Sequence, residues 1–584
     1  MDDKTSGKHI IKQGTILAAA SVISRIIGML YRSPMAAVIG DKGNGLYSFA
    51  FEIYSIALIL SSYSMPLAVS KLLSARFAKK EYKNADKIYK FAYIFAAVSG
   101  MVMALILFFG AGTIERLSGH EGLALPLKVL APTVFVVALA GTTRGFFQSR
   151  NTMMPTAVSQ LAEQIINAIV SIVAAVILVR FAANEFDKAR YGAAGGTIGT
   201  LFGALSSLMF LIFLFVIYKP RMRKHLSHDK VGVTVSNEEV LKLIVATIVP
   251  VILSQTVYQS IGVVDGFMFG NLYKGSDSTA LYGIYSSKYR LMVNVPNAIS
   301  SALASSMIPS LVSLYTLKNF VEFRARLKTS VKFNMIIAFP CAFGISALSE
   351  MIMKLLFPTT DTVISGRMLM YGSVAVLFYA LSTVTNAALQ GMDRMRLPVR
   401  HAAISLLIHI PLMVILLKFT KLGAHALVIG NIIYPLIVCA LNWVSVARYA
   451  NYRQEVKTTF IIPLLASSVM WIETFCLSRL MVKVLPVNYI TNALITIICI
   501  VNACLVYFIM LFVLKGVTRE ELKEFPMGGR MAKFADKLKI KLEYKKPSGG
   551  NKMRIILDAM GGDNAPDANI KGAINAINKV KAEV

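Results

Sequence analysis

Two groups of polar side chains lie inside stretches that are otherwise apolar. SRIIGMLYRSPM at 24–35 carries Arg25 and Arg32, and KYRLMVNVPNAISS at 288–301 carries Lys288, Arg290, Asn294 and Asn297. A cation at the centre of a bilayer costs about 2.5–3.5 kcal/mol on insertion scales. Such side chains are therefore expected to face protein, water or a charged ligand. Arg25 and Arg32 are seven residues apart and share a helix face with Ser21 and Gly28. Arg290, Asn294 and Asn297 share another by i, i+4, i+7 spacing, and Pro296 loosens that helix locally.

Two chemistries fit. In one, the cations line a cavity and bind an anionic group, phosphate above all, because a guanidinium offers it a planar two-pronged fork. In the other they pair within the membrane, for example Arg25 with Glu52, or Arg32 reaches out to headgroups. The remaining acids in apolar stretches are Glu163, Asp265 and Glu473, with Glu350 nearer a helix end. Glu52 suits a counter-ion positioning an arginine as well as a coupling-ion site. Catalysis would need clustered histidines or paired acids, but the histidines are scattered, and His225 and His228 fall in a basic loop. The five cysteines all lie in apolar stretches, with neither metal spacing nor a disulfide pattern. No cofactor is expected.

The elements that must hold these residues are membrane helices. Of 584 residues, 56% are hydrophobic and 16% charged, against about 25% charged in a soluble protein. Apolar runs of about 20 residues, enough to cross a bilayer, recur roughly fourteen times. The expected fold is an all-α polytopic membrane protein. The first run is too long for a cleavable signal peptide. The net charge of +30 sits largely in short loops, which points to topology and anionic lipid rather than nucleic acid.

Basic loops follow the even-numbered spans: Lys71 to Lys87, Lys219 to Lys224, Lys318 to Lys328, Arg394 to Arg400 and Arg448 to Lys457. DKGNG at 41–45 and SGHEG at 118–122 are poorer in basic residues and read as outer loops. Both termini are then cytoplasmic. Faint echoes, MPLAVS at 65–70 with MIPSLVS at 307–313 and FFQSRNTMMPTAVS at 146–159 with ALQGMDRMRLPVRHAAIS at 388–405, suggest a repeat. The expected organisation is a six-helix lobe over 1–218, a cytoplasmic linker over 219–240, a second lobe over 241–447 in pseudo-two-fold relation, and two more helices over 448–516. YGAAGGTIGTLFG at 191–203 lies in an apolar span with no preceding strand, so its glycines are read as helix packing, not as a nucleotide site.

Longer blocks carry a resemblance. RGFFQSRNTMMPTAVSQLAEQ at 144–164, LYSFAFEIYSIALILSSYSMPLAVSKLLS at 46–74, LQGMDRMRLP at 389–398 and EFPMGGRMAKFADKLKIK at 524–541 resemble the stage V sporulation protein B family of flippases, as does SRIIG at 24–28. That family belongs to the multidrug/oligosaccharidyl-lipid/polysaccharide exporter superfamily, together with the MurJ-type lipid II flippases. The resemblance implies two six-helix lobes, a final helix pair beside a lipid-accessible groove, and alternating-access translocation of an undecaprenyl-diphosphate-linked oligosaccharide in a bacterial plasma membrane. It carries over Arg25 and Arg290; Tyr289 stands where many MurJ-type relatives have Asp, and Arg32 falls one residue later than theirs. The expected substrate-binding set is Arg25, Arg290, Arg32, Lys288, Glu52, Asn294 and Asn297. The protein is expected to act as a monomer among anionic lipids, with other cell-wall synthesis proteins as candidate partners. A cation-coupled drug exporter of the same superfamily and a membrane-embedded transferase are the alternatives.

The last part reads differently. Residues 517–552 form a basic amphipathic tail and a PSGGN linker. From Met553 the text MRIILDAMGGDNAPDANIKGAINAI resembles the opening of the soluble phosphate acyltransferase family of phospholipid synthesis. At 32 residues, 553–584 is too short for that fold and is expected to be non-functional.

Overall fold

A computed structural model describes residues 3–518 and 521, apart from 228, 230, 231, 276 and 487. The acyltransferase-like segment and nearly all of the amphipathic tail lie outside the described residues. All regular structure among the described residues is helical. The first half holds α1 (Asp3–Leu30), α2 (Arg32–Ser61), α3 (Met65–Ala78), α4 (Tyr82–Ser118), α5 (Ala124–Gln148), α6 (Met154–Val179) and α7 (Glu185–Ser227). The second half holds α8 (Asn237–Leu272), α9 (Ser278–Gly283), a π-helical turn (Ile284–Tyr289), α10 (Arg290–Thr316), α11 (Phe320–Ala347), α12 (Ser349–Leu356), α13 (Val363–Gly372), α14 (Ala375–Gly391), α15 (Arg396–Phe419) and α16 (His425–Ala450). After these come α17 (Ile462–Val484) and α18 (Tyr489–Val513).

Eleven helices among the described residues are long and apolar enough to cross a membrane, and up to thirteen when two bent pairs each count as one span. The bends are 41° in α8 and 48° between α13 and α14. The apolar part of α1, Ala19–Leu30, is shorter and stands where the sequence puts the first span. The count of about fourteen is thus approximate, and the helical membrane fold is as expected.

The chain divides at Tyr507 into two compact units. The second, as far as it is described, carries the end of α18 and a bond from the Thr518 amide to the Glu521 carboxylate at 3.0 Å. Within the first, α4, α5, α6 and α7 pack on one another, as do α10, α14, α15 and α16. The first and second halves meet chiefly where α2 packs on α8, α9 and the π-helical turn.

Small residues set these approaches. On α7, a Cβ at Gly195 would overlap the Ala175 backbone, and one at Gly199 would overlap Ser171 of α6. Ser171 donates to the Gly196 carbonyl at 2.8 Å across the same contact. The glycine-rich stretch is therefore a packing surface. DKGNG departs from expectation: it forms no outer loop but continues inside α2, past a kink at Gly40 (φ +67°). Gly43, Asn44 and Gly45 are buried there. A Cβ at Gly45 would overlap the Thr279 carbonyl, and one at Gly283 the Asp41 carbonyl. A loop-like composition is here the means by which two helices from opposite halves touch backbone to backbone.

Filling such a contact costs about 1–3 kcal/mol or more. Gly199→Val is expected to lower the thermal unfolding midpoint of the detergent-solubilised protein. Gly112→Val on α4, where nothing lies within 4 Å of an added Cβ, leaves it unchanged.

Candidate functional site

The expected residues separate into three places. Arg290 opens α10, and Asn294 and Asn297 follow on the same face. All three line a cavity of about 320 Å³, together with Tyr258 and Gln259 of α8, Tyr379 of α14, and Asn431 and Tyr434 of α16. The shared face read from their spacing is the cavity face. Arg290 reaches across to the first half, where its Nη1 meets Glu52 Oε1 of α2 at 2.7 Å. Both side chains are about one-fifth exposed, at 19% and 20%. Glu52 therefore pairs with Arg290 rather than Arg25. Gly262 of α8 makes room for it, since a Cβ there would overlap the Glu52 carboxylate.

The rest of the lining is neutral and rich in hydrogen-bonding groups. Asn431 donates to the Tyr379 hydroxyl at 3.0 Å, and Thr383 donates to Asn297 Oδ1 at 3.2 Å. Tyr289 is fully buried and donates to the Gly372 carbonyl or to Asn431 Oδ1, each 3.1 Å away. The surface offers amides, phenols and one guanidinium. It can solvate sugar hydroxyls and an anion. Among the described residues no three histidines, cysteines or acids gather as a metal site, and all five cysteines are free.

Lys288 lies elsewhere. It is completely buried in the π-helical turn, with its Nζ 2.7 Å from Asp41 Oδ1 and 2.7 Å from the Asp361 carbonyl. Asp41 Oδ2 also accepts from the Asp361 amide at 3.2 Å. Lys42 pairs with Asp277 at 3.4 Å, and Ser33 donates to the Leu356 carbonyl. His120, in the turn between α4 and α5, has Nδ1 3.0 Å from Thr279 Oγ1 and Nε2 3.1 Å from the Gly266 carbonyl. Together with the Gly45 and Gly283 contacts, these interactions seal the two halves against each other at one end.

Arg25 and Arg32 are on neither list. A single turn residue, Tyr31, separates α1 from α2, with Tyr31 bonding back to Ile27 and Met35 back to Tyr31. Pro34 lacks the next donor. Arg25 is exposed and has no ion pair or hydrogen bond among the described residues. Arg32 is half-buried, and its Nε has no partner.

Two constellations escaped the sequence reading. Arg144 of α5 bonds Glu163 at 2.6 Å, Ser207 at 2.7 Å and Ser159 at 3.0 Å. His409 of α15 pairs with Asp265 of α8 at 2.6 Å. Each acid was conspicuous in an apolar run, but its partner was not: Arg144 is one basic residue in a long motif, and His409 lies 144 residues from Asp265. The histidines are scattered along the chain, yet His409 and His401 both hold defined partners, His401 through Asn442 at 2.7 Å.

Breaking a buried ion pair leaves one charge stranded, at about 3–5 kcal/mol. Lys288→Met is expected to open the seal, and Lys288→Met with Asp41→Leu to restore part of it. Cross-linking of cysteines replacing Lys42 and Asp277 by a short thiol-reactive bifunctional reagent, which spans the length of the lost Lys42–Asp277 side chains, measures the sealed fraction. Burial holds the His120 imidazole below its ordinary value, against the Gly266 carbonyl and the Asp277 charge, which both pull it up. The sealed form therefore favours neutral His120. That contribution is complete above pH about 6.5, the value of a free imidazole, and is lost as the pH falls through the lower sealed-state value. Acidification is expected to loosen this contact, and His120→Gln to remove that response in the same cross-linking assay.

Three comparisons bear on this architecture. The chain is 24% identical over 479 residues to a Bacillus subtilis protein named lipid II flippase MurJ, covering 78% of this chain and 86% of that one. It is 21% identical over 541 residues to stage V sporulation protein B of the same organism, covering 90% and 99%. A solved structure described as lipid II flippase MurJ in an inward closed conformation superposes with a TM-score of 0.62 at 18% identity, covering 85% of this chain and 98% of that one; at that identity the likeness is one of fold. The MatE family matches residues 250–415, and the family described as polysaccharide biosynthesis protein matches residues 10–315. That second match spans more than half of the chain, from the first helix through the Arg290 cavity face, and the chain belongs to the polysaccharide biosynthesis protein family.

Proposed function

We propose that this protein is a flippase, not an enzyme, and that it carries an undecaprenyl-diphosphate-linked cell-wall precursor, lipid II or a related lipid-linked oligosaccharide, from the inner to the outer leaflet. The observation that carries this reading is the Arg290–Glu52 pair. It joins the two halves at the edge of a cavity lined by amides and phenols. A diphosphate entering there competes with Glu52 for the guanidinium, and two phosphate oxygens fit its fork better than one carboxylate oxygen does. Displacing Glu52 removes the bond that joins the halves at the cavity and leaves Glu52 without its counter-ion. Substrate binding and the loosening of the halves at the cavity are then one event. The lipid names borne by the relatives support the same reading.

The flippase task is to carry a polar headgroup through an apolar layer, so hydrogen-bonding groups and a cation suffice. Arg25, which is outside the cavity lining, exposed and unpaired among the described residues, is the second anion ligand on the strength of the family resemblance. Arg32 is available to the headgroup near one membrane face. Asn294 and Asn297 bond the sugars, and the prenyl chain stays in lipid. His120, Asp277 and Asp361 fall in or beside connections that the charge rule assigns to the outside, and Asp41, within α2, bonds the Asp361 amide. The sealed end is then the outer one, with both termini in the cytoplasm of a bacterial plasma membrane. A charge-neutral cavity with one cation favours an anionic lipid over the cationic substrates of a drug exporter.

A charge-assisted hydrogen bond contributes about 1.5–3 kcal/mol, a tenfold to hundredfold effect. Arg290→Ala and Arg25→Ala are each expected to slow flipping of a labelled undecaprenyl-diphosphate disaccharide in proteoliposomes by at least tenfold, at unchanged protein levels. Full rescue of a flippase-deficient strain by both variants would refute the clamp. Glu52→Gln, which frees Arg290, is expected to bind the labelled lipid more tightly and turn over more slowly.

A further inference from the structure

Beside the polar cavity lies a second hollow of a different kind. It is a groove of about 210 Å³ between α2 and α4 of the first half and α8 of the second, and every residue lining it is apolar. Ile53, Ile56 and Leu60 form its α2 wall by i, i+3, i+7 spacing, and Val263 and Phe267 form its α8 wall. Leu107 of α4 is buried at the floor, at 3% exposure, whereas Leu60 is 43% exposed at the rim. Seven helical positions from Ile53 to Leu60 span about 10 Å. The groove thus runs along the bundle with one side open to lipid. Neither α17 nor α18 lines it.

What separates the two hollows is Glu52. On α8, Ile261 lines the polar cavity, Gly262 meets the Glu52 carboxylate, and Val263 lines the groove. Successive helix residues turn by about 100°, so cavity, carboxylate and groove follow one another around α8. On α2, Ile53 follows Glu52 directly. The carboxylate held by Arg290 therefore stands at the boundary between a polar hollow and an apolar one.

We propose that the groove holds the head-proximal hydrocarbon of the substrate lipid, a single chain bonded directly to a diphosphate, and that Glu52 is the partition the phosphates displace. The proposal rests on the flippase reading for the headgroup. A lipid with ester groups between chain and phosphate brings carbonyl oxygens against walls that hold no donor, which is costly. A prenyl diphosphate has no such groups. Its last carbon is bonded to a phosphate oxygen, so it changes from apolar to charged over one bond, as the protein does across Glu52. Lipid tails are as apolar as the groove, so in a bilayer the groove supplies no hydrophobic gain. It supplies placement, through van der Waals contact that fixes where the diphosphate arrives. The rest of the chain stays in lipid.

The test uses the full chain in phosphatidylcholine vesicles and undecaprenyl diphosphate carrying a diazirine on the isoprene unit next to the phosphates. After irradiation, labelled peptides are identified by mass spectrometry. Label is expected on residues 53–60 and 263–267, to fall at least fivefold in Arg290→Ala, and to be displaced by unlabelled undecaprenyl diphosphate but not by phosphatidylglycerol. Ile56→Trp, which fills the groove from a residue outside the polar cavity, is expected to lower the label at 263–267 at least fivefold. The map of the unaltered chain decides the matter even where that variant does not fold. Equal displacement by phosphatidylglycerol makes the groove a general lipid contact and overturns the proposal. Label confined to α17 and α18, or undiminished in Arg290→Ala, also overturns it. Chain-specific label in the groove of a protein that moves no labelled undecaprenyl-diphosphate disaccharide sinks the flippase reading and leaves the groove standing. Full transport with the groove unlabelled does the reverse.

Discussion

A guanidinium inside an apolar bundle must have an anion within reach, and the bond between Arg290 and Glu52 meets that requirement across the two halves of the molecule. Had the anion come from the same half, the pair would be a local brace. Because it comes from α2, the charge balance of the cavity depends on how the halves sit. The cavity as found is neutral at this pair, and the rest of its lining is amide and phenol with the aliphatic Ile261 and Val293. On the proposed reading, an arriving anion is attracted to Arg290 only to the extent that it can replace Glu52.

The same logic of opposed halves governs the sealed end, with backbone contact in place of side chains. Gly45 and Gly283 bring α2 against α9 and the π-helical turn closely enough that a Cβ at either would overlap a carbonyl. At that separation the polar groups nearby are dry and must satisfy one another, as Lys288 does with Asp41 and Asp361. The π-helical turn then acts as a hub. Within six residues its side chains engage Asp265 through Tyr285, Asp41 through Lys288, and Gly372 and Asn431 through Tyr289, and the next residue is Arg290. This short segment thus touches the Asp265–His409 pair, the seal and the cavity together.

How much of this was legible beforehand follows from the range of each signal. Helical spans were legible because a membrane demands some 20 apolar residues in a row, a property of contiguous sequence. The Arg290, Asn294 and Asn297 face was legible because helix periodicity is local, and the glycines of α7 because close helix contact requires small residues wherever the partner lies. DKGNG misled for the same reason in reverse: its composition marks backbone that must come close to something, and the choice between a turn and a buried contact lies with the partner.

The sequence by itself determined the class of fold, the intramembrane cations and the face that lines the cavity, since each is written in neighbouring residues and in the cost of putting them in lipid. Only the tertiary structure decided which charge met which. Glu52 lies 238 residues from Arg290 and Asp265 lies 144 from His409, and spacing along a chain says nothing about such pairs. Lys288 and Arg290, two positions apart, look alike as cations in an apolar run. The turn of the π-helical segment sends one into the dry seal and the other to the cavity, a difference in water access that only the assembled bundle sets.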